Sequence, residues 1–511
     1  MKAPKELTKE EVSQHNTPTD CWIIVNDYVY DITEFLTEHP GGYQALMAYA
    51  GEDATSSFLD IHDESYLASF LKPSCLKGKI KGVPSSPPSP LEASSSSPKP
   101  KKLMDPKGSD IVSLPRRVYS SEHEAYRTRV RAWLHSKLIP EYDRYSREGC
   151  IPREVYQDAY KNGFYCMAIP KEYGGHGLTD FRYSAIVCEE VEMAEASGFF
   201  ANLGSDMVLP YFLKQMNAEQ KKKFLPDIAA HGRVLAVAMS EPEVGSDLGA
   251  LSTRAVDCKG GFEISGRKMW ISAGSVADYI VVAAVTDPAK GSKGISLFLV
   301  EATREGFAAA KRVKKIGKLA SDTCLLTFEK VWVPAENMIG KRGDGFKILM
   351  SNLAKERLSI ALGAAAAARR ILACTTNYVH GRAAFGANIG RLQYIQMTLA
   401  KLRAEIDTVT AYVDQCILDQ VKETLTAETA AVAKLMATEL SNRAANTCLQ
   451  FFGGYGYLKG CPVAKQFLDQ RVAKIYGGAN EVMAEIIGKG LGFKSQRFHS
   501  KRRPAIVKSK L

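Results

Sequence analysis

The sequence predicts a multidomain α+β protein: a small mixed module, then a larger body in which a strand-rich stretch lies between two helical ones. Three observations carry this. The chain has 511 residues, too many for one hydrophobic core. Residues 84–102, "PSSPPSPLEASSSSPKPKK", hold six Pro and seven Ser and almost nothing to bury, which is the composition of a linker. Beyond the linker the hydrophobic pattern is helical, then strand-like between turn signals, then helical again. The boundaries are residues 1–82 for the module, 83–110 for the linker, and 111–232, 233–340 and 341–493 for the three parts of the body. Residues 494–511 form a basic tail.

With 45% apolar and 24% charged residues, the composition is that of a globular protein. No run of 18 uninterrupted apolar residues occurs, so no membrane span is expected. The 11 cysteines are scattered without a Cys-x-x-Cys, which fits a reducing compartment and gives no metal-ligand spacing. The net charge of +11 is uneven: residues 1–82 carry −6 and the remainder +17. Either the two surfaces are solvated separately, or the acidic module docks on the basic body. The basic residues are dispersed, without a nucleic-acid-binding motif, so no nucleic-acid partner is expected. The N-terminus "MKAPKELTKEEVSQ" has acids, no Arg and no apolar run, unlike a secretory or mitochondrial leader. The last residues, Ser509-Lys510-Leu511, form the S-K-L that a peroxisomal import receptor reads, so the expected location is the peroxisome.

In the module, "CWIIVNDYVYDI" reads as two strands around an Asn26-Asp27 turn. A helix starting near Thr33 must stop at "EHPGG", since Pro40 pushes His39 out of helical geometry. A second histidine, His62, follows in "SSFLDIHDES". Two His side chains on facing segments can hold a haem iron from both sides. Trp22, Tyr30-Asp31, Phe35, His39-Pro40-Gly41-Gly42, Ala50-Gly51, Asp53-Ala54-Thr55, Phe58 and His62 resemble a cytochrome b5-type haem domain over about residues 7–82. The resemblance implies haem b, with His39 and His62 as axial ligands and single-electron transfer as its work.

In the body, "RVLAVAMS", "KMWIS", "DYIVVAAVTD", "ISLFLV" and "TCLLTFEKVWV" read as strands, and "LSIALGAAAAARRILA" as a long helix. Five pieces carry chemistry. Gly245-Ser246-Asp247 forms a turn that can grip polar ligand edges. "RKMWISAG" sets an aromatic face, Trp270, beside the hydroxyl of Ser272. "GRAAFG" places Arg382 near a helix end, suited to a phosphate. "QFFGGYGYLKG" offers open backbone at Gly453 and Gly454. "KIYGGANEVMAEIIGKG" is a double-glycine turn opening onto a helix, whose buried face is expected at Ala479, Val482, Met483, Ile486 and Ile487.

In this order and spacing the pieces resemble the acyl-CoA dehydrogenase family over about residues 115–493. The resemblance implies a helical domain, a central β-domain and a C-terminal four-helix domain, assembled as a homotetramer or homodimer that shares FAD across an interface. Val237, Met239, Ser240, Ser246, Trp270, Ile271 and Ser272 would line the flavin ring. Arg382, Gln393, Gln450, Gly453 and Gly454 would hold the adenosine diphosphate part. Ala479, Asn480 and Glu481 would close over the cofactor, with Ala479 standing where Thr is common. Ser246, Arg357, Gly477 and Gly478 would contact the acyl-CoA substrate. Many members carry the catalytic base directly after the Tyr of the double-glycine turn, where this chain has Gly477. Long-chain and isovaleryl-type members place it on a helix, in a stretch resembling "NLAKERLSIALG", which makes Glu356 the expected base. The reaction implied is FAD-dependent dehydrogenation of acyl-CoA to trans-2-enoyl-CoA in fatty-acid β-oxidation. Electrons would then pass to the fused haem, and an acceptor protein is possible beyond it. An oxidase-like reaction giving hydrogen peroxide and a non-catalytic acyl-CoA-binding flavohaem protein remain alternatives.

Overall fold

The computed structural model describes residues 5–37, 46–47, 49–55, 58–59, 67, 71–81 and 116–493. His39, His62, the linker and Ser509-Lys510-Leu511 lie outside the described residues. The chain divides into two compact units, Met1–Leu103 and Met104–Leu511.

The first unit is built on strands β1 (Glu6–Leu7), β2 (Asn16–Thr17), β3 (Asp20–Val25), β4 (Tyr28–Asp31) and β5 (Leu76–Ile80), in the order β1-β5-β4-β3-β2. Asn26 (φ 50°) and Asp27 (φ 66°) join β3 to β4. Two left-handed residues match the turn to the right-handed twist of the strands. Side chains alternate along β3: Cys21, Ile23 and Val25 pack with Ile32, Leu36 and Ala54, while Ile24 packs with Leu7, Val12, Val29 and Ile80. Against the first cluster Phe35, Leu46, Met47, Phe58 and Leu67 are only partly buried, an apolar surface that suits a flat apolar group. A short helix, α1 (Lys9–Val12), is capped by Thr8.

The second unit opens with α2 (Ser121–Trp133), α3 (Tyr142–Glu148), α4 (Arg153–Lys161), α5 (Phe181–Met193) and α6 (Ala218–His231). The acids of α5 are buried rather than solvated. Glu189 pairs with Arg116 and Arg127, and Glu190 with Arg127 and Arg131. Strands β6 (Leu235–Ala238), β7 (Arg254–Cys258), β8 (Gly261–Ser272), β9 (Tyr279–Val285), β10 (Ile295–Glu301), β11 (Phe307–Arg312), β12 (Thr323–Pro334) and β13 (Met338–Ile339) form one sheet. Its order is β11-β12-β8-β7-β9-β10-β13, with β6 parallel to β9. The continuous apolar run of β9 reflects burial on both faces. Neither β7 nor β11 is among the strands expected from sequence. "FAAAKR" in β11 is rich in helix formers, and only pairing with β12 makes it a strand.

The C-terminal part contains α7 (Gly345–Gly381), α8 (Gln393–Val421), α9 (Ala427–Phe451), α10 (Pro462–Gln470) and α11 (Asn480–Gly490). Helix α7 packs on α9, α5 and α8. Ala364–Ala368 are all buried, and small side chains let the neighbouring helices come close. This helix is long and apolar enough to cross a membrane, but 94% of its apolar window is buried in the unit, so it is a core helix. All eleven cysteines are free.

Candidate active site

From Glu356 to Ala368 every residue of α7 is buried, with Glu356 and Arg357 at 7% and 5% exposure. Opposite them runs the turn before α11, with Gly477 at φ +63° and Gly478 at φ +90°. A Cβ on Gly477 would collide with Ile360 Cδ1 and stand 3.7 Å from Glu356 Oε1. A Cβ on Gly478 would stand 3.8 Å from Arg357 Nη2. The fold thus brings four expected site residues, Glu356, Arg357, Gly477 and Gly478, into one place. The N–H groups of Gly477 and Gly478 find no acceptor among the described residues, so both remain available to a ligand oxygen.

Burial pushes the Glu356 carboxyl up to about 7, with the Arg357 charge opposing only in part. Burial also lowers the pKa of Arg357, whose Nε is buried without a partner. A buried polar group without a hydrogen bond is costly, and this one belongs to a side chain that lies against the Gly478 turn.

The turn is held from behind. Lys434 on α9, with no exposed surface, donates from Nζ to Gly478 O and Asn480 Oδ1, both at 2.8 Å. Asn480 Nδ2 donates to Thr438 Oγ1 at 3.1 Å and Glu439 Oε1 at 2.9 Å. Asn480, expected as a cofactor contact, therefore has its side-chain amide engaged within the chain and supports the turn. Ala479 is partly buried, Glu481 is exposed, and Met483 is the fully buried residue of the α11 face, with Val482, Ile486 and Ile487 only partly so. Lys434 was not among the expected residues. Its signal is a lone Lys inside the apolar helical run "AAVAKLMA".

In the sheet, Val237 lies on β6, and Met239 and Ser240 follow it. Met269 N donates to Ser240 O at 2.9 Å, which sets Trp270, Ile271 and Ser272 alongside them. Trp270 holds φ +67° and is 58% exposed. A non-glycine residue in this region is strained, and here the strain accompanies an indole presented outward. Ile271 is 3% exposed with its side chain in the core, so only its backbone can serve a ligand. Ser246 is exposed on the following loop. Glu241 and Lys268, both buried, pair at 2.9 Å and pin the start of this loop to β8. Glu241 also accepts from Ser252 N and Thr253 N, and Lys268 donates to Met239 O. Burial alone would raise the Glu241 pKa, but Lys268 and these hydrogen bonds hold it down to about 2.

A third place is a cavity of about 460 Å³ that includes Tyr378, Arg382, Phe452, Gly453, Gly454 and Tyr455 in its wall. The rings of Tyr378 and Phe452 stack at 4.2 Å, and the Arg382 guanidinium lies 5.6 Å from the Tyr455 ring centre. A Cβ on Gly453 or Gly454 would meet nothing within 4 Å, so the open side of this backbone faces free space. A guanidinium, open backbone and aromatic faces together fit a nucleoside diphosphate. Gln393 and Gln450 are exposed and do not line this cavity. It shares no lining residue with the Glu356 turn.

The comparisons agree with this architecture. The model for the cytochrome b5-like heme/steroid binding domain matches residues 8–81. Those for the acyl-CoA dehydrogenase N-terminal, middle and C-terminal domains match residues 120–232, 236–331 and 343–492. The chain is 37% identical to the long-chain specific acyl-CoA dehydrogenase, mitochondrial, of Mus musculus, over 80% of this chain and 96% of the mouse protein. It is 32% identical to the mitochondrial isovaleryl-CoA dehydrogenase of Solanum tuberosum, over 74% of this chain and 92% of that protein. The structure of an acyl-CoA dehydrogenase from Geobacillus kaustophilus superposes with a TM-score of 0.72 at 36% identity, covering 74% of this chain and all of that one. The family binds FAD, and the cytochrome b5-like domain marks haem binding. Matched along all three of its domains, the chain belongs to the acyl-CoA dehydrogenase family and carries a cytochrome b5-like domain ahead of it.

Proposed function

We propose that this protein removes two hydrogens from Cα–Cβ of acyl-CoA thioesters with Glu356 as the base, giving trans-2-enoyl-CoA. The observation that supports this is the Glu356 carboxylate lying 3.7 Å from where a Gly477 side chain would begin. The helix thus supplies the carboxylate that the turn lacks. FAD, when bound, supplies the acceptor for the hydride that leaves Cβ. The thioester carbonyl accepts from the free N–H groups of the turn, which makes the α-proton more acidic. Glu356 then takes that proton at Oε1. With a pKa near 7, raised by burial, the carboxylate is a stronger base than an exposed one and is still ionised in about half of the molecules at neutral pH. Ile360 and the surrounding buried side chains keep water from the reacting atoms. Trp270, Ser272 and Met239–Ser240 would hold the flavin ring, and Arg382 with Gly453-Gly454 the diphosphate.

The proposal extends to the first unit. Haem b, held by His39 and His62, would supply a one-electron carrier, tethered by residues 83–110 at high local concentration. Import into peroxisomes through Ser509-Lys510-Leu511 belongs to the same reading. Anaerobic mixing of the holoprotein with acyl-CoA thioesters from short to very long tests it. The flavin absorbance should bleach first and the haem bands change second. No bleaching with any thioester overturns the activity. A haem that stays oxidised beside reduced flavin overturns the electron route.

A further inference from the structure

A second cavity adjoins the double-glycine turn. Ile360, against which Gly477 is packed, and Tyr476, the residue before it, form part of its wall. Its volume is about 30 Å³, room for two or three water-sized groups at ~10–15 Å³ each. The remaining wall joins apolar side chains, among them Val187, Val191, Phe199 and Phe200, to a cluster of polar ones. Glu192 on α5 pairs with Lys318 at 3.1 Å, and Gln470 Nε2 donates to Glu192 Oε2 at 3.1 Å. Lys318 Nζ also donates to Ser197 O at 3.3 Å. Lys318 is 6% exposed and Gln470 2%. Two further lining groups, the Tyr476 hydroxyl and the Asn202 side-chain amide, make no hydrogen bond among the described residues.

A saturated chain pressed into this space would strip water from these groups and return no hydrogen bond, which costs about 1–3 kcal/mol for each polar group left unmet. A hydroxyl or carbonyl on the acyl chain would satisfy the free phenol and amide. The small volume favours a short chain.

We infer that the acyl pocket of this protein selects short acyl-CoA thioesters bearing a hydroxyl or carbonyl group beyond the β carbon. Tyr476 and Asn202 recognise that group, and the Glu192–Lys318 pair forms the polar wall behind them. The inference rests on Glu356 and Gly477 being the reacting site.

The test is kcat/KM of the FAD-loaded full chain, under anaerobic conditions with an artificial electron acceptor, for hexanoyl-CoA, 5-hydroxyhexanoyl-CoA and palmitoyl-CoA. The hydroxylated thioester should exceed the other two by roughly tenfold or more, as expected of a pocket built to hydrogen-bond a substrate hydroxyl. Tyr476→Phe and Asn202→Leu, on different segments, should each bring the ratio of hydroxylated to plain hexanoyl-CoA towards one. The FAD content of each purified variant reports that it has folded. Hexanoyl-CoA or palmitoyl-CoA turned over as well as the hydroxylated thioester by the unmodified protein overturns the inference. So does a ratio that neither folded variant changes. Failure of the underlying reading looks different: none of the three thioesters would bleach the flavin.

Discussion

Replacing Glu356 by Gln keeps the size of the side chain and removes its titration, so it separates two consequences of one buried carboxylate. The first is catalytic. A positioned general base is worth about 10²–10⁴ in rate, so flavin bleaching by acyl-CoA should slow by that factor while FAD stays bound. In the unmodified protein kcat/KM should rise with pH through about 7, because only the carboxylate form accepts the α-proton. The second is energetic. Burial raises the pKa from 4.5 to about 7, which corresponds to about 3 kcal/mol of folding free energy. Below pH 4.5 the group is protonated in both the folded and the unfolded chain, and no cost arises. Between 4.5 and 7 the unfolded chain releases the proton while the folded one holds it, so the folded state loses ground as pH rises. Above about 7 the full cost is present. The Gln variant has no such slope, and Arg357 stays charged throughout, adding a constant rather than a pH dependence. The melting temperature of Glu356→Gln relative to the unmodified protein should therefore climb by about 3 °C between pH 5 and pH 8 for a cooperative unit of this size. Calorimetry of the FAD-loaded proteins reads it directly. Bleaching at an undiminished rate would remove Glu356 as the base. A melting difference that is flat across pH would show that the carboxyl does not titrate in a buried place.

Lys434→Met removes both hydrogen bonds that fix Gly478 O and Asn480 Oδ1. It should lower stability by about 1–3 kcal/mol and kcat by roughly tenfold or more as the turn shifts; an unchanged kcat would mean the turn is positioned without it. Glu241→Gln leaves Lys268 buried without its partner charge and should cost about 3–5 kcal/mol, with FAD lost on purification. The double variant Glu241→Gln/Lys268→Met should recover part of that, and a double variant as damaged as the sum of the singles counts against the pair. Trp270→Ala should leave the melting temperature nearly unchanged, because the residue is 58% exposed, yet weaken FAD binding several-fold in a titration. Equal FAD affinity would detach Trp270 from the flavin.

Strand β9 and the middle of helix α7 are legible in the sequence because each is continuously buried, and continuous burial leaves a continuous apolar pattern. The alternation along β3 shows for the related reason that it separates two small cores. What is not legible depends on partners far away in the chain. "CEEVEM" on α5 looks like a solvated helix face, yet Glu189, Glu190 and Glu192 are all buried. Their partners Arg116, Arg127 and Lys318 come from other segments. Lys434 is hidden in the same way, since it binds a main-chain oxygen 44 residues along the chain. Local pattern reports burial well, but it cannot report which charge meets which.

The site itself shows why a family resemblance could identify Glu356 when composition could not. Positions 356 and 477 are coupled by space as well as by charge. Gly477 lies at φ +63°, and any Cβ there runs into Ile360 Cδ1 one turn beyond Glu356 on the same helix. A carboxylate returned to position 477 would therefore meet backbone strain, the Ile360 side chain and a second negative charge at once. A base on the turn would require Ile360 to move and would set two carboxylates side by side, whereas glycine leaves the space beside Glu356 open. The glycine and the glutamate are two halves of one arrangement, which explains why the missing side chain at 477 points to the base at 356.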